Sequence, residues 1–147
     1  MAQETAKVDL KGVKVLLIED ERIIRDLILR MLKTIGITEV TEASSAEAGW
    51  SYLVGDERRP FHVVITDLTL PGVSGGTLIK KLRELPSPRA KSMPIIVLTG
   101  STDLDTYKKI ESSGVSSYLI KPISSDILRA AIEKAVLGIS APAGASA

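Results

Sequence analysis

Five short apolar runs alternate with segments whose apolar residues recur at helical spacing, and this alternation constrains the fold more than any other property of the 147-residue chain. The runs are "VKVLLI" from Val13, "TEVTEA" from Thr38, "HVVITD" from His62, "PIIVLTG" from Pro94 and "SSYLIK" from Ser116. Strand followed by helix, repeated, predicts an α/β fold: a five-stranded parallel sheet, doubly wound with five helices. Each crossover is right-handed, and each central strand is buried on both faces. The second run is half polar and suits an edge position. Residues 1–11 and 138–147, the latter reading "GISAPAGASA", are expected to be flexible ends around one folded unit.

The helical segments carry their own start and stop signals. The first, from about Arg22 to Ile35, places Ile24, Leu27, Ile28, Met31 and Ile35 on one stripe, with Arg25, Arg30 and Lys33 mostly off it and Gly36 as the stop. The second opens with Ser44 and Glu47 in capping-box spacing and runs through Ala48, Trp50, Leu53 and Val54. The third starts near Ser74, carries Leu78, Ile79, Leu82 and Leu85, and is closed by Pro86. A shorter fourth has Leu104, Tyr107 and Ile110, with Gly114 as its cap. The fifth begins after Pro122 with Ser124 or Ser125 as cap and continues through Ile127, Leu128, Ala131, Ile132, Ala135 and Val136.

Composition removes several function classes. A formal net charge of +1 gives no polyanion-binding surface, and one Trp, one Phe and three Tyr make no stacking platform for single-stranded nucleic acid. No cysteine is present, which excludes a disulfide framework, a thiol nucleophile and thiolate metal ligation, and points to the cytoplasm. No apolar run approaches the roughly 20 residues that span a bilayer.

Ligands of open parallel sheets bind outside the carboxyl ends of the strands. There the sequence places Glu19 and Asp20 after the first strand, Asp67 after the third, Thr99 and Gly100 after the fourth and Lys121 after the fifth. With strand order 2-1-3-4-5 these groups collect at one rim of the sheet. Two carboxylates about 4 Å apart repel by roughly 4 kcal/mol at an effective dielectric near 20, so a third at the same mouth needs a cation to stay charged. An oxygen-only donor set suits Mg²⁺ and disfavours zinc. Such a site accommodates attack by an aspartate on phosphorus, with Lys121 and Thr99 as donors to the phosphoryl oxygens.

"LLIEDE", "VVITDLTLPGVSGG", "PIIVLTG" and "GVSSYLIKPI" together resemble, in order and spacing, the motifs of the two-component response-regulator receiver domain over about residues 12–137. The resemblance implies a flavodoxin-like sheet of order 2-1-3-4-5 with Asp67 as phosphoacceptor. It implies Mg²⁺ held by Asp20, Asp67 and the backbone carbonyl of Thr69, with Glu19 acting mainly through water on the metal. Thr99 would be the switch hydroxyl, Tyr118 the switch aromatic and Lys121 the phosphoryl-pairing lysine, followed by a cis bond to Pro122. Gly100 stands where alanine is frequent in the family, and Thr69 and Ser101 occupy positions that tune phosphoryl lifetime. "PSPRAKSM" before the fourth strand reads as a partner contact or a tolerated surface loop.

The preferred function is a stand-alone signalling switch. It would accept a phosphoryl group from a histidine kinase or phosphotransfer protein and change its affinity for a protein partner, or its dimerisation, through the face of the fourth helix, fifth strand and fifth helix. Catalysis would be limited to Mg²⁺-dependent self-phosphorylation and self-dephosphorylation. Alternatives are a fragment of a longer regulator and a receiver-like scaffold that works without phosphorylation. An aspartyl-phosphate phosphohydrolase would need a second carboxylate where Thr69 stands, and a flavodoxin would need a phosphate loop where the chain has "EDER". Taken one by one, Asp67 could cap the turn before Pro71, Glu19 and Asp20 could be a solvated pair, Lys121 a surface lysine, Thr99 an ordinary strand end and Tyr118 a core aromatic. His62 reads as a strand-entry residue and Trp50 as a helix-to-sheet packing residue.

Overall fold

The computed structural model describes residues 9–55, 61–100, 108 and 114–138. The elements run β1 (Lys14–Ile18), α1 (Arg22–Thr34), β2 (Glu39–Ala43), α2 (Ala46–Gly55), β3 (Val63–Asp67), α3 (Gly75–Glu84), α4 (Pro88–Ser92), β4 (Ile95–Thr99), β5 (Ser117–Ile120) and α5 (Ser125–Val136). The five strands form one parallel sheet of order β2-β1-β3-β4-β5. β3 and β4 are buried along their whole length, which is why both read as unbroken apolar runs. β2, at one edge, is exposed or half-buried from Glu39 to Glu42 and buried only at Ala43, in keeping with its polar composition. The predicted fourth helix, at 104–114, lies outside the described residues apart from Lys108 and Gly114.

Alternation along the strands divides the core in two. Val15, Leu17, Val63, Ile65, Ile96 and Leu98 face α1 and α5, where Ile28, Leu32, Leu128 and Ile132 meet them. Leu16, Ile18, Val64, Ile95 and Val97 face the other way, onto Ala46 of α2, Leu78, Ile79 and Leu82 of α3, and Ala90 of α4. Trp50 packs part-buried against this second cluster.

The helix phases differ from the sequence reading in places. In α1 the inward line is Ile28, Leu32 and Ile35, and Leu27 is 49% exposed. Steps of four and three from Ile28 keep to one side of a helix with 3.6 residues per turn, whereas Leu27 sits a full 100° away. Ile127 is likewise on the outer side of α5, at 49% exposure. The cap of α2 is Ser45, not Ser44: its Oγ accepts from the Ala48 amide at 3.1 Å, so the helix starts one residue later and no capping box forms. α1 ends in a Schellman motif, with the Ile37 amide donating to the Leu32 carbonyl, the Gly36 amide to Lys33, and Gly36 at φ +98°. Ser74 and Ser124 cap α3 and α5 through the amides of Thr77 and Ile127. Leu85, before Pro86, turns extended and stops α3.

"PSPRAKSM" is an ordered turn of helix rather than a surface loop. Ser87 accepts from the Ala90 amide and caps it, and Ala90 is buried beneath. Arg83 on α3 ties this turn to the sheet, donating to the carbonyls of Ala90 at 2.8 Å, Met93 at 2.7 Å and Gly114 at 3.0 Å. Burial lowers the pKa of this guanidinium.

Candidate functional site

Parallel pairing puts every strand's carboxyl end at one rim. Asp67 pairs with Leu98, Ile18 with Thr66, and Thr99 with Ile120, so the residues that close β1, β3, β4 and β5 arrive within one or two positions of each other. Glu19, Asp67 and Thr99 are buried there and Asp20 is half-buried.

Lys121 organises the rim. Its Nζ donates to Asp67 Oδ2 at 2.6 Å and to Glu19 Oε1 at 3.1 Å, while its backbone amide donates to the Thr99 carbonyl at 2.7 Å. The bond from Lys121 to Pro122 is cis. The other oxygen of each carboxylate is held by backbone: the Thr69 amide donates to Asp67 Oδ1 at 2.9 Å, and the Glu21 amide to Glu19 Oε2 at 3.1 Å. Burial raises the Glu19 pKa, and its bonds to Glu21 and Lys121 only partly oppose that. For Lys121, burial pushes downward, but hydrogen bonds and charge from Asp67 and Glu19 outweigh it, and the net shift is upward.

Glu19, Asp20 and Asp67 each offer an oxygen within 4.8 Å of the others. One ammonium stands against three carboxyl groups. Among the described residues Asp20 takes part in no hydrogen bond or ion pair through its side chain, so both of its oxygens are open to a new ligand. An all-oxygen donor set with surplus negative charge fits a hard divalent cation.

Of the other predicted site residues, Thr69 is exposed in the loop after β3 and Gly100 is exposed after β4. Ser101 lies outside the described residues. Tyr118 pairs with Val97 and packs against the second cluster. Thr99, two residues beyond Val97, therefore projects on the same face of the sheet as Tyr118, opposite to the face of Asp67's partner Leu98. His62 enters β3 with its Nδ1 accepting from the Lys14 amide at 2.9 Å.

Two residues that support the rim went unassigned in the sequence. Arg25, read as lying away from the packed stripe, turns back from α1: its Nη1 donates to the Glu19 carbonyl at 2.8 Å and its Nε to Glu42 Oε1 at 3.2 Å. Gly75, at the start of α3, lies so near the Asp67 backbone carbonyl that a Cβ there would collide with it. The available signal for Gly75 is the "GVSGG" stretch, a turn and helix start in which nothing marks one glycine as a close contact; for Arg25 there is none beyond its place five residues after Asp20.

Comparison with known proteins converges on one family. The model of the response regulator receiver domain matches residues 15–133. The chain is 33% identical over 129 residues to the chemotaxis protein CheY1 of Helicobacter pylori, covering 86% of this chain and 98% of that protein. It is 27% identical over 122 residues to the chemotaxis protein CheY of Pseudomonas aeruginosa, covering 83% and 94%. Among solved structures, a response regulator receiver domain protein of Clostridium thermocellum superposes with a TM-score of 0.74 at 32% identity, covering 85% of this chain and 94% of that one. The chain belongs to the response regulator receiver family, and its rim of strand-end carboxylates around a lysine is that of a phosphorylation-dependent signalling switch.

Proposed function

We propose that Asp67 accepts a phosphoryl group from a phosphohistidine of a sensor histidine kinase or histidine phosphotransfer protein, and that Mg²⁺ is the cation of the site. The observation that carries this reading is the Lys121 ammonium shared between Asp67 at 2.6 Å and Glu19 at 3.1 Å, with the open Asp20 carboxylate beside them. Asp20 and Asp67, with the Thr69 backbone carbonyl, would hold Mg²⁺, and Glu19 would act from behind them. Bound there, Mg²⁺ offsets the negative charge that otherwise keeps a phosphoryl group away from a carboxylate.

The chain's own residues supply the rest. An Asp67 carboxylate oxygen attacks phosphorus, the bond from phosphorus to the donor's imidazole nitrogen breaks, and that nitrogen leaves as the neutral ring once it takes up a proton. Lys121 then pairs with a phosphoryl oxygen in place of the Asp67 oxygen it now holds. Thr99, on the face it shares with Tyr118, donates its hydroxyl to another, and the pair carries the change into the sheet. Small phosphodonors serve the same chemistry, giving Mg²⁺-dependent self-phosphorylation, with hydrolysis returning the aspartate.

The output face is assigned to the predicted fourth helix, β5 and α5, for a downstream protein or a second copy of the chain. Its support is that β5 is an outer strand with Ile120 47% exposed. The receiver is assigned to residues 12–137, flanked by 1–11 and 138–147, and placed in the cytoplasm with its phosphodonor. No described helix is long and apolar enough to cross a membrane.

Incubation with acetyl phosphate and Mg²⁺, followed by intact-protein mass spectrometry, tests the reading. One acid-stable, base-labile phosphoryl group is expected on the wild type and none on Asp67→Asn. An adduct that persists in Asp67→Asn, or fails to form in the wild type, contradicts it.

A further inference from the structure

We propose that Arg25 is a positioning residue for the divalent-cation site, acting through the Glu19 backbone on the two carboxylates that flank the β1–α1 turn. The inference rests on the reading of Glu19, Asp20 and Asp67 as a cation site. Glu19 is held from every side. Its amide donates to the Ala43 carbonyl at 3.0 Å, its Oε1 accepts from Lys121 and its Oε2 from the Glu21 amide. Its carbonyl accepts from Arg25 Nη1 at 2.8 Å.

The contacts differ in what they fix. The Ala43, Lys121 and Glu21 bonds tie the residue to β2, to the end of β5 and to its own turn, whereas Arg25 ties it to the helix that follows. The peptide unit whose oxygen Arg25 grips is the one that leads into Asp20, so its tilt sets where the open Asp20 carboxylate points. Arg25 is itself anchored: Nε donates to Glu42 on β2 at 3.2 Å, and the side chain is only 17% exposed against 45% for Glu42. One planar fork thus spans the ends of β1 and β2 from the first turns of α1, a geometry a lysine's single nitrogen does not reproduce.

Charge alone predicts the opposite effect. A guanidinium close to a cation site repels the cation, so a residue present merely as a charge would weaken metal binding, and its removal would tighten it. Glu42 offsets that charge at the far edge, leaving the grip on the Glu19 carbonyl as the net contribution. Partners that orient ligands in this way change metal affinity by about 10–100-fold when removed.

Mg²⁺ titrations followed by amide NMR shifts, on the wild type, Arg25→Met, Arg25→Lys and Glu42→Gln, decide the matter, with the metal-free melting temperature of each measured alongside. The expected result is an affinity about tenfold weaker or more in both Arg25 variants and about threefold weaker in Glu42→Gln, where the anchoring bond keeps its acceptor oxygen but loses its charge. Equal or tighter binding by Arg25→Met overturns the proposal, as does a lowered melting temperature with unchanged affinity, which would make Arg25 only a structural bolt. Should Arg25→Met not fold, unchanged affinity in Arg25→Lys and Glu42→Gln overturns it. A wild type that binds no Mg²⁺ is a separate result: it removes the cation site itself, and this inference with it.

Discussion

Lys121 stands with one positive charge between two buried carboxylates, and that imbalance makes opposite substitutions at the site behave differently. Removing the ammonium in Lys121→Met leaves Glu19 and Asp67 facing each other without a counter-charge. We expect a loss of about 1–3 kcal/mol in metal-free protein, less than for a fully buried pair because Lys121 is partly solvated. Glu19→Gln acts the other way. The Glu19 pKa is raised in the fold by burial, so between its ordinary value of 4.5 and its folded value the native state binds more protons than the unfolded chain. Stability from this group is full below pH 4.5 and declines as pH rises through the folded pKa. Urea denaturation of metal-free protein should therefore show Glu19→Gln gaining on the wild type as pH increases from 4 to 7. Saturating Mg²⁺ should narrow the difference. A constant or inverted difference would contradict the assignment of burial as the dominant influence on Glu19.

At the scale of elements, α3 is set against the loop after β3 by a contact with no room for a side chain. The Gly75 amide donates to the Leu68 carbonyl at 3.0 Å, and a Cβ would strike the Asp67 carbonyl, which is backbone and cannot rotate aside. Gly75→Ala is expected to cost about 1–3 kcal/mol by overpacking, read as a lower urea midpoint at unchanged slope. Accommodation without loss would mean that α3 floats on this loop. The same contact shows where sequence reading stops. Strands β1, β3 and β4 were legible because burial on both faces makes them unbroken apolar runs. The start of α3 was legible near Ser74 and that of α5 as Ser124 or Ser125, but adjacent serines look alike in sequence, and only the fold selects Ser45 over Ser44 and Ser124 over Ser125. The phase of α1 was less so: Leu27 and Leu32 are equally apolar, and only the sheet selects Leu32. The grip of Arg83 on Ala90, Met93 and Gly114, which makes an ordered turn of "PSPRAKSM", and that of Arg25 on Glu19 join residues whose neighbourhood exists only after folding. Glu19, Asp20, Asp67 and Lys121 were legible as a group for a topological reason, since parallel strands deliver all their carboxyl ends to one rim.

Across the whole molecule, the sheet puts Asp67 on one face and Thr99 with Tyr118 on the other. Asp67 lies at the end of a strand whose odd-numbered residues face α1 and α5, while Thr99 and Tyr118 share the opposite face with α2 and α3. In the proposed function a phosphoryl group bridging Lys121 and Thr99 would span both halves of the core, and well-packed halves respond by shifting between discrete arrangements rather than bending. The central claim is electrostatic: the crowded carboxylates at this rim admit a tetrahedral anion on Asp67 only with a divalent cation among them. Fluorine NMR of the protein with beryllofluoride, which mimics an aspartyl phosphate, tests this most directly. Bound signals that saturate at one site per chain, require Mg²⁺ and vanish in Asp67→Asn are the predicted result; binding without Mg²⁺, or none with it, would contradict the account.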